Sequence, residues 1–102
     1  MIDVKVKTLL TVVRAGSFTK AAEELGLTHP AVSHHIKQLE EEFGVRIFQR
    51  GGRELTVTAE GEILLKYAGR LTAVDQNCRQ SLEDYRKQAR HLNIGITRTA
   101  AE

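Results

Sequence analysis

The sequence predicts a mainly α fold: three short helices, a two-stranded hairpin, and one long helix. Three observations predict it. Apolar residues recur at helical spacing in three short segments, each closed by a glycine (Gly16, Gly26, Gly44). A Gly51-Gly52 pair then divides two β-prone runs. From Thr58 helical periodicity returns and holds to about Arg90.

The first helix follows from Val6, Leu9, Leu10 and Val13, with Asp3 as its cap. In the second, Ser17 caps a segment whose inward residues include Ala21, Ala22 and Leu25. Gly26 stops it, because glycine tolerates the left-handed conformation at a helix end. Thr28 caps the third helix, and Pro30 is tolerated in its first turn. Val32, Ile36, Leu39 and Phe43 then form one apolar stripe, and His29, Pro30, Ser33, His34 and Lys37 occupy the opposite face. After Gly44, Val45, Ile47 and Gln49 alternate with Arg46, Phe48 and Arg50, and Leu55 and Val57 alternate with Glu54 and Thr56. That alternation predicts two strands joined at the glycine pair. A short helix, a glycine turn and a second helix with small donors facing outward is the plan of a helix-turn-helix DNA reader, and the following hairpin makes it a winged helix-turn-helix.

The long helix carries a seam of Leu64, Tyr67, Leu71, Val74, Cys78, Leu82, Tyr85 and Ala89. Some 30 residues at about 1.5 Å each reach about 45 Å, too far for a small head domain to cover. The first turns can pack on the head. The remainder (Leu71, Val74, Cys78, Leu82 and Tyr85) needs a partner, and a second copy of the chain is the simplest one. Beyond it Leu92, Ile94 and Ile96 alternate with Asn93, Gly95 and Thr97, a strand pattern that cannot stand alone. The expected organisation is a DNA-binding head over residues 1–57, a linker and dimerisation helix over 58–90, and the start of a truncated second domain over 91–102.

Composition bounds the chemistry. The chain has 102 residues, 41% of them hydrophobic and 27% charged, enough for one small core and too charged for a membrane span. One cysteine allows no internal disulfide and suits a reducing cytoplasm. The net charge of +2 is too small to argue for nucleic acid by itself, so the distribution matters: Arg46, Arg50 and Arg53 stand together just after the acidic Glu40, Glu41 and Glu42. His29, His34 and His35 lack the four-residue spacing of a helical metal pair, and Ser33 beside His34 diverges by about 100° around a helix. No metal, cofactor or catalysis is expected. The rival expectation, a winged helix used only for protein interaction, is disfavoured by the polarity of Ser17, Thr19, Ser33 and Lys37.

Several runs resemble the N-terminal DNA-binding domain of LysR-type transcriptional regulators. They are SFT-x-AA (Ser17–Ala22), T-x-PAVS (Thr28–Ser33), I-x-x-LE (Ile36–Glu40), G-V-x-x-F-x-R (Gly44–Arg50) and T-x-x-G (Thr58–Gly61). With the following helix the resemblance covers about residues 1–97, and LNIGIT resembles the first strand of that family's effector domain. It implies sequence-specific binding of double-stranded DNA by a homodimer, or by a tetramer at full length, with any small-molecule effector bound only in the C-terminal domain. It implies that Ser17 and Thr19 bond phosphates near a helix start. Thr28 belongs with them at the start of the third helix. It further implies that His29, Pro30, Ser33 and His34 meet the major groove, with Lys37 on the same helix face, and that Arg50 and Arg53 serve the backbone and the minor groove beside the wing. Positions 29, 34 and 35 depart from the family, which usually has Gln at 29 and often Arg and Gln at 34 and 35. Histidine cannot make the two-pronged amide contact to adenine. The histidines carry one further expectation: His34 or His35, rather than His29 at the positive helix start, gains a proton on DNA binding.

Overall fold

The structure, a computed structural model, describes residues 3–49, 51 and 54–95, with side chains to residue 90. Its elements are α1 (Val4–Ala15), α2 (Phe18–Leu25), α3 (His29–Phe43) and α4 (Ala59–Gly95). They fall into two compact units, Met1–Thr72 and Ala73–Glu102.

Each helix begins where a short polar side chain accepts an otherwise orphaned backbone N–H. Asp3 accepts from Lys5 at 2.7 Å, Ser17 from Lys20 at 3.0 Å, Thr28 from Ala31 at 3.2 Å, and the Thr58 hydroxyl from Gly61 at 2.9 Å. The three short helices end on Gly16, Gly26 and Gly44. At Gly26 φ is +69°, which a β-carbon would disfavour, and the turn there swings α3 across α2.

In the first unit α1, α2 and α3 pack on one another around a single core. Leu9 and Val12 come from α1, Ala21 and Ala22 from α2, and Val32, Ile36 and Leu39 from α3. Burying each larger aliphatic contributes about 1.5–3 kcal/mol. Ala21 and Ala22 contribute by being small, since they let the backbones of the helix-turn-helix close together. Ile47 and Phe48 complete the core from the loop after α3.

The wing differs from its expected form. Among the described residues it holds one antiparallel bridge, Phe48 to Val57, flanked by hydrogen bonds from Gln49 N to Thr56 O (2.8 Å) and Thr58 N to Ile47 O (2.9 Å). The expected alternation places Phe48 opposite to Ile47. Both are buried instead, because Ile47 enters the head core while Phe48 packs edge-on against Phe18 at 5.6 Å. The wing's Arg50, Gly52 and Arg53 lie outside the described residues.

Thr58 and Gly61 explain the T-x-x-G run. The Thr58 hydroxyl caps α4 and also lies within hydrogen-bonding reach of the Arg46 and Ile47 carbonyls. One turn on, Gly61 meets the Ile47 carbonyl so closely that a β-carbon there would sit 2.5 Å from its oxygen. The start of α4 is thereby held against the base of the wing.

In the second unit α4 is the only regular element among the described residues. Asp75 is buried and accepts from Arg79 Nε at 2.9 Å, a bond that raises the affinity of the guanidinium for its proton. The helix continues through Gly95, where the alternation at residues 92–95 predicts a strand. A strand needs a neighbour to receive its backbone hydrogen bonds, whereas a helix already under way supplies its own. Residues 96–102 lie outside the described residues.

Candidate nucleic-acid interface

Helix α3 divides by face as its sequence spacing requires except at its last residue: Phe43, expected on the apolar stripe, is 53% exposed because the core ends before the final turn. Val32, Ile36 and Leu39 are buried, while His29, Pro30, His34 and Lys37 are exposed and Ser33 is half-buried between them. The exposed set spans two turns from the helix start and contains no acid. Glu40, Glu41 and Glu42 begin only beyond it. Thr28 holds the first turn through its cap and is exposed. The structure thus gathers His29, Pro30, Ser33, His34 and Lys37 onto one surface at the N-terminal half of α3.

The start of α2 forms a second polar site. Ser17 is half-buried and committed to the Lys20 N–H, and Thr19 is exposed beside it. The open end of a helix presents backbone donors to an anion, and Lys20 adds a positive charge on the same exposed turn. Arg50 and Arg53, expected beside the wing, lie outside the described residues.

Three contacts escape sequence reasoning. His35 Nδ1 lies 2.9 Å from the hydroxyl of Thr8, a fully buried residue of α1. His35 therefore belongs to the α1–α3 junction, which leaves His34 as the one of the two free to meet DNA. The position of His35 was a usable signal, since residues 32, 35 and 39 share a helical face. Phe18 stacks on His29, with ring centroids 5.7 Å apart and planes inclined by 29°. No spacing rule links residues on different helices, so this pair was invisible beforehand. Finally, the Glu40 carboxylate accepts the Ile47 N–H at 2.8 Å, which fixes the chain leaving α3 toward the wing.

An apolar surface lies elsewhere on the first unit. Phe43, Ile63 and Tyr67 are exposed around a groove of about 430 Å³ floored by Leu9, Leu39 and Ala68. Along α4, Leu71 is 54%, Val74 57%, Leu82 52% and Tyr85 65% exposed, with Cys78 half-buried. No described helix is long and apolar enough to cross a membrane.

Three helices on one small core, the last of them presenting a polar, acid-free face at its capped start, define the helix-turn-helix class. The family model for bacterial regulatory helix-turn-helix proteins of the lysR family matches residues 4–62. The chain belongs to that family, whose members are transcriptional regulators and not enzymes. A probable RuBisCO transcriptional regulator of Chlorokybus atmophyticus is 40% identical over 93 residues, covering 89% of this chain and 29% of that protein. A protein of the same description from Gracilaria tenuistipitata var. liui is 34% identical over 96 residues, covering 93% and 31%. The chain therefore spans less than a third of the length of these relatives. Among solved structures, a BenM_DBD/catB site 1 DNA complex has a TM-score of 0.73 and 33% identity, covering 89% of this chain and 95% of that one.

Proposed function

We propose that this chain is the operator-reading end of a cytoplasmic transcriptional regulator, which binds duplex DNA sequence-specifically as a homodimer. The observation that carries the reading is the acid-free face of α3. His29, Pro30, Ser33, His34 and Lys37 stand on the N-terminal half of a helix whose other face is anchored in the core. A recognition helix meets base edges with that half. In this reading α3 enters the major groove and Pro30 offers an apolar contact to a thymine methyl. Ser17, Thr19 and Thr28 serve phosphates, and Arg50 and Arg53 of the wing serve the backbone and the minor groove. The BenM DNA complex, a similar structure with DNA bound, supports DNA binding as the role of this chain.

The dimer is proposed from α4. Leu71, Val74, Leu82 and Tyr85 expose apolar side chains that water would leave unsatisfied as a stripe, and Cys78 lies in register with them. A second copy supplies the same stripe. Residues 1–57 then act as the reader and 58–90 as the linker. The segment from 91 leads toward an effector-binding domain, the proposed seat of any small-molecule control.

An electrophoretic shift on genomic fragments, repeated with competitor DNA and at several salt concentrations, tests the reading. Specific binding predicts retention on selected fragments in the presence of competitor. It also predicts a linear fall of log affinity with log salt. Equal binding to all fragments would overturn it.

A further inference from the structure

The aromatic contact at the start of α3 has a chemical consequence for base choice. His29 is the first residue of α3 and is exposed. Its ring lies against Phe18, the first residue of α2, with centroids 5.7 Å apart and planes inclined by 29°. Phe18 is in turn seated edge-on against Phe48 at 5.6 Å, and Phe48 is buried in the core and bridged to Val57. A continuous aromatic path therefore runs from the wing bridge, through Phe18, to the leading side chain of the proposed recognition helix. Beyond the stack the His29 side chain is open to solvent. The stack occupies a face of the imidazole and leaves its nitrogen-bearing edge for another ligand.

We infer that Phe18 is a positioning residue for His29, and that the clamped imidazole selects guanine over adenine at the base pair facing the start of α3. The inference rests on the DNA-reading function proposed above. A neutral imidazole presents one N–H donor and one acceptor, on opposite sides of its edge. A fixed ring that turns its N–H nitrogen to the base makes a single-donor contact. Guanine suits that donor, because N7 and O6 lie side by side in the major groove and both accept. Adenine pairs its N7 with the N6 amino group, a donor that opposes the imidazole N–H. Protonation of the ring changes nothing in this preference, since imidazolium only donates. A glutamine at residue 29 would reverse the preference, because its amide donates to N7 and accepts from N6 of adenine. Without the stack the imidazole would be free to rotate and present its acceptor nitrogen as well, which blurs the choice between the two purines.

The test is selection of binding sites from a randomised duplex library with the wild type, His29→Gln and Phe18→Leu. Binding to a wild-type site carrying 7-deazaguanine in place of guanine accompanies it. The wild type should select guanine at one position per half-site, and His29→Gln should move that position toward adenine by about tenfold. 7-Deazaguanine should weaken the wild type by about tenfold. Phe18→Leu should bring the guanine-to-adenine ratio toward one while affinity for competitor DNA stays within about twofold. If Phe18→Leu does not fold, the ring protons of His29 in the wild type carry the positioning claim. Stacking on Phe18 predicts ring-current-shifted resonances, and unshifted ones would overturn it. A wild type with no sequence preference at all would overturn the DNA-reading function itself. A wild type that selects sites whose base ratios are unmoved by His29→Gln would overturn this inference alone.

Discussion

Thr8 and His35 join α1 to α3 through a hydrogen bond of 2.9 Å between a fully buried hydroxyl and an imidazole nitrogen. The two partners are unequal. His35 is half-buried and can turn to water, whereas Thr8 has no such escape. His35→Ala should therefore cost about 1–3 kcal/mol, the penalty of a buried hydroxyl left unpaired. Thr8→Val, which removes the buried polar group with little change of shape, should cost less than His35→Ala. Urea unfolding of the two variants checks the order. An equal or reversed cost would mean that the bond does not hold the junction.

Glycines 61 and 69 lie on the same helix and should respond in opposite directions. A β-carbon at Gly61 would meet the Ile47 carbonyl oxygen at 2.5 Å and Val57 Cγ1 at 2.6 Å, and a backbone atom cannot give way cheaply. Gly61→Ala should destabilise by at least about 1–3 kcal/mol, the cost of overpacking. At Gly69 nothing lies within 4 Å of the added carbon, so Gly69→Ala should stabilise by up to about 1 kcal/mol through helix propensity. Thermal melts of both variants read the signs directly.

These two glycines also show where sequence reasoning reaches and where it stops. Helix starts and ends were legible because capping is local: Asp3, Ser17, Thr28 and the glycine stops act within a turn of themselves. The faces of α3 were legible because burial follows helical spacing. Gly61 could be matched to a motif, but its reason, the approach of Ile47, joins residues 14 apart in the chain. Phe48 was misplaced for a related reason. Strand alternation assumes a regular strand, and here the demand of Phe18 for a neighbour overrides it. Over residues 92–95 the alternation fits a helix end as well as a strand, and the backbone there is helical.

The apolar stripe of α4 yields a test of the dimer. Leu71 and Leu82 are each more than half exposed, so a change to lysine removes little packing within the chain. The double variant Leu71→Lys, Leu82→Lys should remain folded, become monomeric, and lose operator affinity because two linked half-sites become independent. Sedimentation at micromolar concentration, with circular dichroism for folding, checks this. A wild type already monomeric under those conditions would sink the idea.

The division of labour on DNA separates base contacts from backbone contacts. Ser33→Ala and Pro30→Ala should relax selectivity at particular base positions, by about 1–3 kcal/mol for each lost base contact. Arg53→Ala should instead weaken binding most on narrow, A·T-rich flanks and reduce the salt slope by about one. Affinities on a panel of flanks at several salt concentrations distinguish the two patterns. An unchanged slope with equal losses on every flank would place Arg53 away from the DNA.

His34 remains the histidine for a pH-linked contact. His35 is engaged with Thr8, and His29 sits at the positive start of α3, stacked on Phe18. His34 is exposed on the proposed DNA face with neither constraint. The phosphates of bound DNA would favour the charged form of an imidazole on that face. Binding should then take up a proton. By linkage the state that holds the extra proton gains as protons become more available, so operator affinity should rise as pH falls from about 8 to about 6. One fully coupled proton gives up to about tenfold per pH unit, and partial coupling gives less. The measurement is operator affinity against pH at fixed salt, for the wild type, His34→Gln and His35→Gln. The slope should vanish in His34→Gln and persist in His35→Gln. A flat wild-type profile, or a slope that survives His34→Gln, would show that another group takes up the proton or that none does.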